Sequence, residues 1–516
     1  YRPFRGAILV SMPSIPGLWP LWLVFRLLGV ESDREILETI LGSVEDAPKA
    51  FIDALYPSIR HGGAGGIYDS QSAIDHVAPA TYFKSPEQVH AILVNDLMPN
   101  MNGGAGAAGD DGDDDAAGSA LYENKAKLLG QMAKEFLQTM LGIRAVSDRD
   151  GYIFKRVDMS GFLLAQLFQS AYIQLKNTCR DMLDAHYHYI IKNRGQLDKL
   201  ITPENIRKFL QPSVLTDIMN RSLKGRWGAK PEDPDQEVIQ DLGRISYIQY
   251  LSHLRRVNLP LDRSIKLTSP HRLHSQQWGI MCPFESPDGA SIGYLKNFAL
   301  LSHITFGTDS ATVVPCLIDL GMIPLSGVLA RETHDADLAS VYLNGQWVGV
   351  HASPAVFVQM LRLYRRNAMI NVFTSISWDI ARNTVRVLTE AGRACRPLWV
   401  VENQGLIGAT KGSTTKGSTT WYEWVFGKRW KTLHPDIETP TDLYYKSFYI
   451  PYATAFAKET SGSGGASGGS VAALKKHQAC MDLLDIEEAN TALVAMTPTD
   501  IQPLTTHCEI HPSTIF

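Results

Sequence analysis

Cysteine is scarce and scattered: Cys179, Cys282, Cys316, Cys395, Cys480 and Cys508 stand far apart, with no C-x-x-C pair and no Cys/His cluster at zinc-ligand spacing. That argues against a disulfide scaffold and against a structural metal in this segment, and it points to a reducing, intracellular setting. A dominant charge is missing too. The net charge is −4, from 49 Lys and Arg against 53 Asp and Glu, so contact with nucleic acid has to come from a local basic surface. Long unbroken apolar runs are also lacking. The most apolar stretch, residues 7–30, is interrupted by Pro13, Pro16 and Pro20 and carries Arg26, so a strand followed by a buried helix is expected there and not a membrane span. No G-x-x-x-x-G-K-[ST] phosphate loop occurs, which argues against that kind of phosphate cradle.

What is present is a chain too long for one hydrophobic core: 516 residues, where single cores stop growing near ~250 to 300 residues. Three to five modules are expected. A hydrophobic content of 45% with 20% charged residues is that of a protein most of which folds. The first residue is Tyr1, and the chain reads as an internal piece of a longer polypeptide, so the lack of a targeting signal carries no meaning. Two low-complexity stretches, the Gly/Ala/Asp-rich 103–120 and the Gly/Ser-rich 461–470, read as mobile surface loops. A third, 411–420, repeats KGSTT in tandem, which is too short for a repeat architecture.

Between these marks the apolar spacing predicts helices over 32–40, 122–141, 163–192 and 353–366. Residues 341–351 (VYLNGQWVGVH) alternate around Asn344-Gly345 and predict a hairpin. Strands are expected at 385–389 and 398–401, so the middle third is mixed α and β. Asp33-Arg34-Glu35 and Asp148-Arg149-Asp150 suggest ion pairs or helix capping, not acid/base chemistry. His351 and His507 are assigned to structure.

The most informative segment is 243–297. Between Arg244 and Arg272 it carries six cationic residues (Arg244, Arg255, Arg256, Arg263, Lys266 and Arg272) against one acid, Asp262, with His253, His271 and His274 as further donors. Such a local excess suits phosphate contacts. A basic stretch is more often a solvated face, so this reading alone is modest. Pro260, Pro270, Pro283 and Pro287 forbid a continuous helix and place the basic groups on turns and short elements.

The order of words in this segment adds to it. SHLRR is followed by KL-x-x-P-x-x-LH, WG-x-x-CP-x-E-x-P-x-G and IG-x-x-KN, and this series resembles the fork region of the second-largest (β-type) subunits of multisubunit DNA-directed RNA polymerases. Cys282 to Gly289, CPFESPDG, is similar to that family's C-P-x-E-[TS]-P-[ED]-G element. LVFRLLGVESDREIL at 23–37 resembles the start of the lobe, and DRDGYIFKRVDMSGFLLAQLF at 148–168 the return from lobe to protrusion. NGQWVGVH, LRLYRR and TEAGRACRPL within 341–398 are similar to the first external domain, and LDIEEANTALVAMTP with THCEIHPS to the run into the hybrid-binding domain. The wording is closer to eukaryotic, archaeal and large-DNA-virus subunits than to bacterial ones.

The resemblance implies a multidomain mixed α/β (α+β) fold: lobe at 1–155, the C-terminal part of the protrusion at 156–235, fork at 236–308, external domain 1 at 309–400, external domain 2 at 401–483 and the start of the hybrid-binding domain at 484–516. It implies a part in nucleotidyl transfer, with partners in the largest subunit, smaller assembly subunits, template DNA, the RNA–DNA hybrid and nucleoside triphosphates, and no membrane. The nucleus, the cytoplasm and a virus factory are not distinguished. No catalytic residue and no metal site is expected in this segment. Mg²⁺ is expected on the largest subunit, and any zinc site in the C-terminal part that this segment lacks.

Arg255, Arg256, Arg263, Lys266 and Arg272 are the expected DNA contacts of the fork, with a packing role as the alternative for each. Glu285 is expected to be buried or paired, most simply with an arginine. Trp278 and His274 are expected to pack in the core, with base stacking as their functional alternative. Gly289 and Gly293 are expected to supply positive φ or close backbone approach. The competing reading of the whole chain is a polymerase-derived nucleic-acid-binding or scaffold protein without polymerase activity.

Overall fold

The computed structural model describes residues 6–45, 47–63, 66–82, 84–101, 114–192, 201–203, 205–228, 238–259, 261, 267–407, 420–455 and 468–516. Arg263 and Lys266 lie outside the described residues, as do 103–113, 411–419 and 461–467 of the low-complexity stretches. The chain divides into two units: residues 1–149, 305–391 and 397–511 form the first, and 150–304, 392–396 and 512–516 the second. Both mix helix and short strands, the α+β organisation expected from the sequence.

The first unit opens with an antiparallel pair, β1 (Leu9–Ser11) and β2 (Leu18–Pro20), followed by α1 (Leu21–Leu27), α2 (Asp33–Leu41), α3 (Lys49–Gly63), α4 (Ser70–Val77), α5 (Pro86–Asn95) and α6 (Asp114–Met140). All seven residues of α1 are buried, so the apolar run that could pass for a membrane span is the centre of a helical core. Among the described residues no helix is long and apolar enough to cross a membrane. Arg26, at the end of α1, is only 1% exposed. Its guanidinium donates to Asp33 at 2.8 Å and to the carbonyls of Gly62 and Ile67, which is what makes a buried charge tolerable.

Helix α2 begins behind Ser32, as expected. The ion pairs of Asp33 and Arg34 leave the Asp33-Arg34-Glu35 triplet for Arg26 and Glu38. Helix α6 starts eight residues before the predicted 122, inside a stretch expected to be loop; a similar correction applies to Gly468–His477, a helix that begins within the Gly/Ser stretch. For α6 the reason lies in composition: the alanines of this stretch carry high helix propensity.

The second unit contains α7 (Ser160–Lys192), α8 (Ile206–Phe209), α9 (Pro212–Leu223) and α10 (Tyr247–Leu254), then strands β3 (Arg256–Asn258), β4 (Leu295–Asn297) and β5 (His303–Ile304). Leu167 and Ala171 of α7 pack with Ile218 of α9 and Trp227. Strand β5 pairs antiparallel with Ala394 and Cys395.

The chain re-enters the first unit through α11 (Val314–Asp319) and a five-stranded sheet of order β6-β8-β7-β10-β9. Its strands are β6 (Ile323–Pro324), β7 (Ala339–Leu343), β8 (Gln346–His351), β9 (Ser375–Asp379) and β10 (Thr384–Leu388). The predicted hairpin is β7–β8; Asn344 (φ 51°) and Gly345 (φ 81°) take the two left-handed positions of its turn. Helix α12 (Pro354–Arg366) lays Phe357, Leu361 and Tyr364 on Val341, Val385, Val387 and Ile376 of the sheet. Burying a side chain the size of Leu361 contributes roughly 2 kcal/mol. Strands β11 (Ala394–Glu402), β12 (Gly405–Leu406), β13 (Met481–Asp485), β14 (Val494–Ala495) and β15 (His507–Cys508) follow, with residues 397–402 of β11 paired to β12 and β15.

The last turn of α12 anchors a buried ionic network. Arg365 clasps Glu488 with two hydrogen bonds of 2.6 and 2.9 Å, and Arg366 donates to Asp482 at 2.7 and 3.0 Å. His507 Nε2 lies 3.1 Å from the same Asp482 carboxylate. Burial alone pushes the Asp482 carboxyl up, but the charges of Arg366 and Arg365 and the His507 hydrogen bond outweigh it and hold the group well below the usual carboxylate range. Burial lowers His507, with Asp482 acting against it. The network bears out the assignment of His507 to structure.

Candidate nucleic-acid interface

The basic segment is built on a short ladder in the second unit. Ser246 caps α10, its hydroxyl accepting from the Gln249 amide at 3.1 Å, and Arg255 ends the helix. Strand β3 then pairs antiparallel with β4, in the register Arg256↔Asn297, Val257↔Lys296 and Asn258↔Leu295. The described residues between these strands include short turns at Ser269–His271, Ser275–Gln277 and Gly289–Ser291, as the prolines require.

The arginines divide by use. The Arg255 guanidinium donates to the carbonyls of Ala299 and Leu300, fastening the helix end to the chain beyond β4. Arg256 and Arg272 are exposed and make no side-chain hydrogen bond or ion pair among the described residues. The five expected DNA contacts therefore resolve into one structural arginine, two open ones and two residues, Arg263 and Lys266, outside the described set. Burial and the charge of Arg255 together lower the pKa of His303.

Glu285 is paired, as expected, but not with the arginine that was the simplest partner. It is exposed, and among the described residues its partner is the hydroxyl of Ser252, which donates to it. Ser252 in turn accepts from Asn297 Nδ2 at 2.7 Å, and the same amide donates to the Ser252 carbonyl at 3.0 Å. A helix residue, a strand residue and the CPFESPDG loop are thereby tied together. Nothing in the local sequence marked Ser252 or Asn297, because the link exists only once β3 and β4 have paired.

Trp278 also corrects the reading: it is 55% exposed, not core. Backbone geometry accounts for this, since it follows a single 3-10 turn whose buried residue is the preceding Gln277. His274 is half-buried and structural; its ring nitrogen accepts from the Gln276 amide at 3.1 Å and its ring lies 5.8 Å from that of Tyr152. Gly289 has φ 73° with open space around it, whereas Gly293 has φ 74° and a Cβ there would meet the Pro270 carbonyl oxygen at 2.0 Å. Only Gly293 shows both of the roles considered for the pair.

Behind the ladder, the Tyr152 amide donates to Gln276 at 2.6 Å and its hydroxyl accepts from Gln277 at 2.7 Å. Burial pushes the Tyr152 phenol up to about 12, and burial together with the charge of Lys155 pushes Lys296 down to about 8. Among the described residues no group of three or more His, Cys, Asp or Glu could hold a metal ion.

Two family descriptions match: "RNA polymerase Rpb2, domain 3" over residues 240–304 and "RNA polymerase Rpb2, domain 4" over 341–402. Among curated proteins the chain is 29% identical to "DNA-directed RNA polymerase II subunit RPB2" of Encephalitozoon cuniculi, over 99% of this chain and 39% of that protein. It is 30% identical to the protein of the same description from Meyerozyma guilliermondii, over 98% and 40%. To "DNA-directed RNA polymerase subunit Rpo2" of Saccharolobus shibatae it is 26% identical, over 98% and 39%. The chain thus spans about 40% of the length of these relatives.

Proposed function

We propose, on the premise that this chain belongs to the Rpb2 family of second-largest RNA polymerase subunits, that it serves DNA-templated RNA synthesis by positioning downstream DNA through its fork. The reaction is nucleotidyl transfer from ribonucleoside triphosphates, in an assembly with the largest subunit, which supplies Mg²⁺, and with smaller assembly subunits. The six-part division from lobe to hybrid-binding start, the contact with template and RNA–DNA hybrid, and an intracellular setting belong to the same proposal.

The observation that carries it is the collinear match of domains 3 and 4, the first of which covers the β3–β4 ladder and its open arginines. Arg256 stands on a frame fixed by the ladder and by the Arg255 clasp, and Arg272 follows directly on the Ser269–His271 turn, so both charges are available to phosphates. Phosphate contacts give position, not sequence preference, which suits an enzyme that must pass over any template.

The test is charge removal in the assembled enzyme. Arg256→Ala with Arg272→Ala is expected to flatten the salt dependence of DNA retention by about 0.9 per lost phosphate contact. Arg255→Ala is expected to cost stability as well, because it also releases the Ala299 and Leu300 carbonyls. An unchanged salt slope in the double variant overturns the fork reading.

A further inference from the structure

We propose that Lys155 and Lys296, gathered on the ring of Tyr152, form a binding site for a phosphodiester group of a nucleic-acid strand, separate from the basic 244–272 segment. The inference rests on the nucleic-acid reading above. Tyr152 is fixed at both ends, its amide by Gln276 and its hydroxyl by Gln277. The Lys155 ammonium lies 4.8 Å and the Lys296 ammonium 5.8 Å from the ring centroid. Lys296 is 7% exposed and donates to the Gly293 carbonyl, so its head is held in place; Lys155 is only partly buried and opens the pair to solvent.

Two ammonium groups so placed repel each other. Neither lysine makes an ion pair among the described residues. Tyr152 does not answer it as a phenolate, since burial keeps its hydroxyl protonated. The ring quadrupole offsets part of the charge, and Lys155 still lowers the proton affinity of Lys296. A bound anion removes that conflict. A phosphodiester suits the pair because its two unesterified oxygens can be shared between the two ammonium donors while its strand continues past the site. Lysine heads act as point charges and impose no planar fork, which suits a backbone contact that must slide.

The experiment uses the assembled polymerase bound to a labelled DNA–RNA scaffold, with retention measured against KCl concentration for Lys155→Gln, Lys155→Arg and Arg256→Ala. Lys155→Gln is expected to lower the salt slope by about 0.7 to 0.9, the loss of one phosphate contact, and Lys155→Arg to restore it. A normal slope in Lys155→Gln beside a reduced one in Arg256→Ala overturns this site and leaves the fork reading standing. Normal slopes in both overturn the nucleic-acid reading and the site with it. A reduced slope that Lys155→Arg does not restore means the lysine acts through shape, and that also overturns the site.

Discussion

Two Arg–Arg pairs sit at helix ends in this molecule, and they are used in opposite ways. Arg365 and Arg366 close α12 at 2% and 8% exposure, and both are consumed by carboxylates. Arg255 and Arg256 follow α10, one spent on backbone carbonyls and the other left open. The dipeptide is the same, and the helix before it is amphipathic in both cases. The difference is made by Asp482 and Glu488, delivered from more than a hundred residues away. An arginine pair is thus a structural fastener where carboxylates reach it and a candidate phosphate reader where none does.

The largest expected effect comes from emptying the buried pair. Glu488→Ala removes the two-bond partner of Arg365 and leaves its buried charge only the 3.4 Å contact with Asp482, which Arg366 already shares, and should lower unfolding stability by about 3–5 kcal/mol in urea titrations. Replacing both partners by apolar residues, as in Arg365→Met with Glu488→Leu, should restore much of it. A loss below ~1 kcal/mol in the single variant would mean the carboxylate is dispensable.

Acid should act next. Burial lowers His507, His351 and His434 and brings His334 down to about 4. The folded state therefore binds fewer protons than the unfolded state below an unfolded value of 6.5, and stability falls as pH drops through that window. The depressed Asp482 adds a contribution that is present above its unfolded value of 3.8 and is lost only as pH falls further, through its folded value. Thermal melts of the first unit should thus decline steadily from pH 7 to 4, and His334→Gln should reduce the slope. A flat profile down to pH 5 contradicts this.

In the second unit the effects should be small. Ser252→Ala removes the hydroxyl shared by Glu285 and Asn297 and is expected to cost about 1 kcal/mol. Arg256→Ala should change stability by less than ~0.5 kcal/mol while reducing the salt slope of DNA retention. If Arg256→Ala proved as destabilising as Glu488→Ala, the contrast between the two arginine pairs would vanish.

Local signals carried well from sequence to structure. The Asn344-Gly345 turn, the helix after Ser353 and the proline-broken turns that follow Leu267 all rest on short-range chemistry, and each stands where it was expected. The start of α6 did not, because helix propensity in an Asp/Ala run outweighed its low-complexity appearance. Long-range pairing was the blind spot. The Ser252–Glu285 link, the Arg255 clasp on Ala299 and Leu300, and the Tyr152–Lys296 contact depend on β3–β4 register or on residues over a hundred positions apart, and periodicity holds no record of either. Trp278 shows the same limit from the other side, since its residue type suggested core while the turn beneath it faces outward.

The clasp between Arg366 and Asp482 joins positions 116 apart in the chain, and that span contains the tandem KGSTT. Deleting one copy would shorten the closed loop to 111 residues (116 − 5). Because closure entropy grows only with the logarithm of length, the gain would be about 0.04 kcal/mol. The fastener is nearly indifferent to how much chain it encloses. Selection on stability therefore has almost no grip on the length of this stretch, and copies of a polar pentapeptide can come and go there through replication slippage at nearly no thermodynamic consequence.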